Sequence, residues 1–151
     1  MKLIDARKDH YRKLAHEEGY RSRSSYKLKE LNKSYRIIGP GYFVLDLGCA
    51  PGGWTQVATQ LVGNKGKVMG VDTSFVEEIP GVHILKASVD SDYIAEEVFS
   101  FFGKKVNAAI CDLSPQVTGN WAIDHSRQTS LNYAAEKIME KRSEERRGGK
   151  E

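Results

Sequence analysis

The sequence predicts an α/β fold, a parallel sheet with flanking helices, and three observations predict it. Short apolar runs rich in β-branched residues recur through the middle of the chain: "FVLDLG" (43–48), "KVMGVD" (67–72), "VHILKAS" (82–88) and "VNAAICDLSP" (106–115). Stretches with helical spacing separate the first two and the last two, "WTQVATQLV" (54–62) and "DYIAEEVFSFFG" (92–103). A bend rich in glycine follows the first run, in "LDLGCAPGGWTQ" (45–56). Strands alternating with helices call for crossover connections and parallel pairing.

The elements follow in order. From about Ser22 to Tyr35, Leu28, Leu31 and Tyr35 recur at helical spacing, and Ser22, Ser24 or Ser25 can cap the start. "GPGY" (39–42) turns the chain into strand one. The helix at 54–62 is stopped by Gly63, and the turn "GNKGK" leads to strand two. A loop with Pro80 and Gly81 precedes strand three, Gly103 stops the next helix, and strand four ends at Asp112. A last helix is expected from about Asp124 or Ser126 through "HSRQTSLNYAAEKIMEK". The closing "KRSEERRGGKE" has no apolar anchor and reads as a disordered tail. Four strands make half of a doubly wound sheet, so the C-terminal strands are expected to be missing, with truncation after residue 141. The expected division is a basic helical arm (1–40), a partial catalytic domain (41–141) and a charged tail (142–151).

Composition narrows the class. A chain of 151 residues with 40% hydrophobic residues suffices for one packed core. No apolar run is long enough to cross a membrane, and Lys2, Asp5, Arg7, Lys8 and Asp9 exclude a signal-peptide core. Cys49 and Cys111 both follow apolar runs and read as reduced, semi-buried thiols of a cytoplasmic protein. Charge is unevenly distributed. Residues 1–40 hold eleven Lys/Arg against five Asp/Glu, whereas residues 41–140 hold seven against twelve. Tyr11, Tyr20, Tyr26 and Tyr35 interleave with the N-terminal cations. Cations neutralise phosphates and rings offer stacking faces, a pairing suited to RNA.

The bend after strand one carries the chemistry. Strand one delivers the chain to Gly48; Gly52 and Gly53 let the backbone pass close to a ligand, and the next helix offers unpaired N–H groups. The order G-C-A-P-G-G departs from the dinucleotide fingerprint G-x-G-x-x-G. Asp72 closes strand two, where an acid accepts both hydroxyls of a ribose, and Asp112 closes strand four over the same crevice. Acids at neighbouring strand tips attract a cation and repel a pyrophosphate, which favours the sulfonium of S-adenosylmethionine. No His or Cys pair has the spacing of a closed metal site, so no metal is expected.

"RSRSSYKLKEL", "VLDLGCAPGGWTQVA", "VMGVD" and "CDLSP" together resemble the FtsJ-type ribosomal RNA large-subunit methyltransferases, over about residues 9–140. The archaeal branch is the more similar. The resemblance implies a Rossmann-like fold, S-adenosylmethionine as methyl donor, and a uridine ribose 2′-hydroxyl of ribosomal RNA, free or in the large subunit, as acceptor. It implies that Gly52, Gly53 and Trp54 form the cofactor loop. Asp72 would bind the ribose, Asp112 would stand at the methyl-transfer centre and contact the cofactor, and Lys27 would be the first lysine of a Lys-Asp-Lys-Glu tetrad. Ser88 stands where the family has an adenine-contacting acid, with Asp90 two residues on. The tetrad's second lysine and its glutamate match nothing here; Lys150 and Glu151 lack the strand around them.

Transfer to a hydroxyl is mainly a matter of alignment, with a group to share the proton. A neighbouring carboxylate favours the protonated form of an amine. Lys27 is therefore assigned to orientation and electrostatics rather than to base catalysis. Trp121 reads as a residue that can stack on a base, Asp124 as a helix cap, and His125, His10 and His16 as exposed. The alternatives are a cofactor-binding fragment without turnover, a methyltransferase acting on transfer RNA, and a small-molecule methyltransferase. A monomer is expected.

Overall fold

The computed structural model describes residues 3–112 and opens with two helices, α1 (Leu3–Glu18) and α2 (Ser25–Tyr35). There follow β1 (Phe43–Leu47), α3 (Gly53–Val62), β2 (Lys67–Asp72), β3 (Val82–Lys86), α4 (Ile94–Phe102) and β4 (Ala108–Ile110). The expected last helix, the charged tail, Trp121, Asp124 and His125 lie outside the described residues.

The strands form one sheet in the order β3-β2-β1-β4, and every neighbouring pair is parallel. The expected α/β architecture is therefore present. β1 and β2 pair from Phe43 with Lys67 through Leu47 with Val71. From β1 the chain lays β2 and β3 on one side, then returns to place β4 on the other. That reversal opens a crevice at the carboxyl ends of β1 and β4, where α/β sheets bind ligands.

The pleat of β1 divides the core in two. Val44 joins Leu28, Ile38, Trp54, Val57, Ala58 and Val62, the cluster made with α2 and α3. Leu45 and Leu47 face the opposite way, into Ile94, Val98 and Phe102 of α4. Asp46 shares the side of Val44 and therefore lands, fully buried, beneath α3. Because Leu28 and Ile38 belong to the same cluster as α3, the basic arm is packed into the core. In α1 only Ala15 is buried, so its apolar stripe is too thin to announce the helix in sequence.

Two expectations change at the ends of elements. Ser24 occupies the position before α2, but its hydroxyl makes no cap bond; it meets Ser22 Oγ at 2.6 Å instead. β4 spans three residues, shorter than the apolar run around it. Among the described residues no helix is long and apolar enough to cross a membrane.

Candidate active site

The bend between β1 and α3 is held by the neighbouring strand. Gly48 turns out of β1 with φ +74°, and the N–H groups of Gly48 and Cys49 both donate to the Val71 carbonyl, at 2.7 and 3.1 Å. A Cβ at Gly48 would meet nothing within 4 Å, so open space faces this turn. The Ala50 N–H donates to Asp72 Oδ2 at 2.9 Å, and the Ser74 N–H donates to Oδ1 at 2.8 Å. Asp72 therefore ties the bend to the loop after β2. A carboxylate has about four acceptor sites, so it retains capacity for ligand hydroxyls.

Asp46 is a site residue that sequence reasoning did not single out. It is fully buried; Thr55 Oγ donates to its Oδ2 at 2.7 Å, and Oδ1 has no partner. Burial pushes its pKa up to about 7, Asp112 and Asp72 add repulsion, and the Thr55 bond opposes them. The available signal was an Asp inside an otherwise apolar strand. Burial also pushes the Cys49 and Cys111 thiols up to about 12, with Asp46 adding to both, so neither is a ready nucleophile. Among the described residues no cluster of His, Cys, Asp or Glu is placed to hold a metal ion.

Two glycines of the bend, Gly52 and Gly53, are closely packed against other parts of the chain. The space beside them is taken by side chains of the N-terminal segment and of the loop after β2. A Cβ on Gly52, where φ is +117°, would come within 3.0 Å of both Arg21 Nη1 and Ile79 Cδ1. A Cβ on Gly53 would overlap the hydroxyls of Ser22 and Ser25. Trp54 is 8% exposed, and its Nε1–H donates to the Ser24 carbonyl at 2.8 Å. Its indole anchors α3 to the arm, which leaves backbone groups of the loop as its offer to a ligand. The amide of Gln56 completes the joint: its Oε1 accepts from the Arg21 N–H at 2.9 Å and its Nε2 donates to the Gly19 carbonyl at 3.2 Å.

Where the arm meets the end of β4 lies a cleft of about 480 Å³ lined by Arg7, Lys8, Arg23 and Lys27, by Tyr11 and Tyr26, and by Glu30 and Asp112. Four cations against two acids give it a positive field suited to a polyanion. The structure thus brings Lys27 and Asp112, distant in sequence, to one cleft. Tyr11, Tyr26 and Tyr20 pack in series, with ring centroids 5.4 and 5.6 Å apart, while Tyr35 stands exposed. Burial, reinforced by Glu18, pushes the Tyr26 phenol up to about 12. Asp112 lines this cleft and also acts on Asp46 beneath the bend.

The sequence model of the FtsJ-like methyltransferases matches residues 20–149, which takes in α2, the bend and every strand of the sheet. The chain belongs to the FtsJ-like methyltransferase family. It is 67% identical over 141 residues to the ribosomal RNA large subunit methyltransferase E of Nitrosopumilus maritimus, covering 93% of this chain and 72% of that relative. The enzyme of the same name from Cenarchaeum symbiosum is 58% identical over 139 residues, covering 92% and 70%. A Plasmodium falciparum protein, whose crystal structure is described as that of a ribosomal RNA methyltransferase, superposes with a TM-score of 0.73 at 29% identity. That match covers 82% of this chain and 72% of the other. An FtsJ-like methyltransferase with archaeal relatives is the identity that the sequence motifs anticipate.

Proposed function

We propose that this chain transfers a methyl group from S-adenosylmethionine to the 2′-hydroxyl of a uridine ribose in large-subunit ribosomal RNA. The observation that carries the reading is the position of Asp112, shared between an acidic crevice at the strand tips and a basic cleft that also contains Lys27. A cationic donor and a polyanionic acceptor would meet at that residue. The names of the archaeal relatives favour ribosomal over transfer RNA.

The residues of the crevice fit the donor. The turn at Gly48 leaves room beside the bend, Asp72 has acceptor capacity for ribose hydroxyls, and Asp46 and Asp112 favour positive charge. Gly52, Gly53 and Trp54 would contribute the backbone of the loop, including N–H groups of the first turn of α3 that have no partner within the helix. When bound, S-adenosylmethionine supplies an electrophilic methyl on a sulfonium centre. The protein's part is alignment and electrostatics. Arg7, Lys8 and Arg23 would neutralise phosphates, and the Lys27 ammonium would donate to the acceptor oxygen, stabilising charge that grows there as the hydroxyl proton passes to solvent and the methyl leaves the sulfur.

The test is transfer of a tritiated methyl from S-adenosylmethionine to undermethylated large-subunit RNA, followed by nuclease digestion. The expected product is 2′-O-methyluridine, and Lys27→Met lowers the rate by about 10²-fold while leaving donor affinity intact. Donor binding without transfer selects the cofactor-binding fragment. Label on a base, or on transfer RNA alone, overturns the assignment.

A further inference from the structure

We infer that Arg21 is a positioning residue for the methyl-donor site, and that it is set apart in this role from the other cations of the basic arm. The inference rests on the proposed function for the nature of the donor.

Charge counting alone groups Arg21 with Arg23 as cations available to RNA. The structure separates them. Arg23 and Lys27 are exposed in the cleft, whereas Arg21 is half-buried, and its guanidinium faces backbone carbonyls. Nη1 donates to the Pro51 carbonyl at 3.0 Å and to the Glu77 carbonyl at 2.6 Å, and Nη2 donates to the Glu78 carbonyl at 2.8 Å. Pro51 belongs to the bend after β1; Glu77 and Glu78 belong to the loop after β2, five and six residues beyond Asp72. One side chain therefore fastens together the two loops that flank the donor crevice.

The fit is specific to arginine. Three carbonyls on two loops need a planar group with several fixed donors, which a lysine ammonium on a flexible stem does not reproduce. The contact is also close: an added Cβ on Gly52 would press on Arg21 Nη1 at 3.0 Å and Cδ at 3.2 Å. The one ion pair found among the described residues joins Lys29 to Glu18, so the Arg21 cation is matched by carbonyl dipoles rather than by a carboxylate. Its backbone N–H is bound to Gln56 of α3, which fixes the start of the side chain as well as its end. Removing the guanidinium takes away one of the two ties between the bend and the loop after β2, the other being Asp72, while leaving the cations of the cleft in place.

The experiment compares wild type with Arg21→Gln, Arg21→Lys and Arg23→Gln. Three quantities are read: affinity for S-adenosylhomocysteine by calorimetry, affinity for undermethylated large-subunit RNA by filter binding, and hydrogen exchange at residues 50–53 without ligand. Arg21→Gln is expected to weaken nucleoside binding about tenfold, with RNA affinity within about twofold of wild type, since bonds to a charged donor are lost at one site only. Exchange at 50–53 rises, Arg21→Lys falls between, and Arg23→Gln shows the reverse pattern of affinities. If Arg21→Gln weakens RNA binding and spares the nucleoside, Arg21 is an RNA contact and the inference is overturned. Equal loss of both affinities with a lowered Tm, unrelieved by lysine, overturns it as a role in folding alone. Should wild type bind no S-adenosylhomocysteine, the proposed donor fails; exchange at 50–53 then decides by itself whether Arg21 fastens the bend.

Discussion

Replacing Asp46 with Asn removes a charge that the fold holds under strain. The carboxyl is fully buried, with Thr55 donating to Oδ2 at 2.7 Å and nothing reaching Oδ1. Its pKa rises from 3.8 to about 7. In the unfolded chain the group loses its proton near pH 4; in the folded chain it keeps it to near neutrality. Stability from this group is therefore greatest in acid, falls as pH rises through that window, and levels off above it. At about 1.4 kcal/mol per unit, the three-unit rise amounts to about 4 kcal/mol lost between the two ends. Asn has the same shape, can accept from Thr55 and does not titrate. The stability of Asp46→Asn minus that of wild type should thus grow by up to about 4 kcal/mol from about pH 4 to about pH 8. Urea denaturation of both proteins across that range measures it, and the difference isolates Asp46 from other titrating groups. Parallel curves would refute the reasoning, because they would show an ordinary carboxyl at this position. The same substitution should weaken binding of a cationic donor more than that of its neutral-sulfur product.

Further predictions concern the joint between arm and bend. Gly53→Ala drives a methyl into Ser22 and Ser25 and should cost about 1–3 kcal/mol, read by urea denaturation; an unchanged midpoint would contradict the packing. Gly48→Ala meets no neighbour but keeps a left-handed φ of +74°, so a smaller loss of about 1–2 kcal/mol is expected in the same assay. Trp54→Phe retains the ring and loses the bond to Ser24, with an expected loss of about 1 kcal/mol beyond any packing change. Cys49 and Cys111, with thiols near 12, should resist iodoacetamide in the native protein at mildly alkaline pH; rapid labelling of either, seen by mass spectrometry, would contradict the raised pKa.

The strands were legible because each carries its own signal. "KVMGVD" is flanked by turn residues and forms β2 over the same six positions, Lys67–Asp72. α3 and α4 were legible from apolar spacing and from the stopping glycines, Gly63 and Gly103, both of which cap in the structure. The bend was recognisable as a bend, but the purpose of its glycines was not. Spacing cannot say whether a missing Cβ admits a ligand or another part of the chain, and at Gly53 it admits Ser22 and Ser25. The seating of Trp54 was not legible for the same reason, since its partner, Ser24, lies thirty residues upstream. The basic arm read as a uniform RNA surface because charge counting treats Arg21 and Arg23 alike. Only three-dimensional proximity reveals that one faces carbonyls and the other the cleft. Asp46 was hidden by its position in a strand, where the pleat, rather than the residue type, decides what it faces.

The central claim is that the donor lies against the bend with its ribose on Asp72. Calorimetric titration of wild type and Asp72→Ala with S-adenosylmethionine, each checked by circular dichroism for folding, tests it most directly. The account predicts binding by wild type and an affinity lower by at least about tenfold in the folded variant, as expected when hydrogen bonds to a charged acceptor are removed. Equal affinities in the two proteins would contradict it.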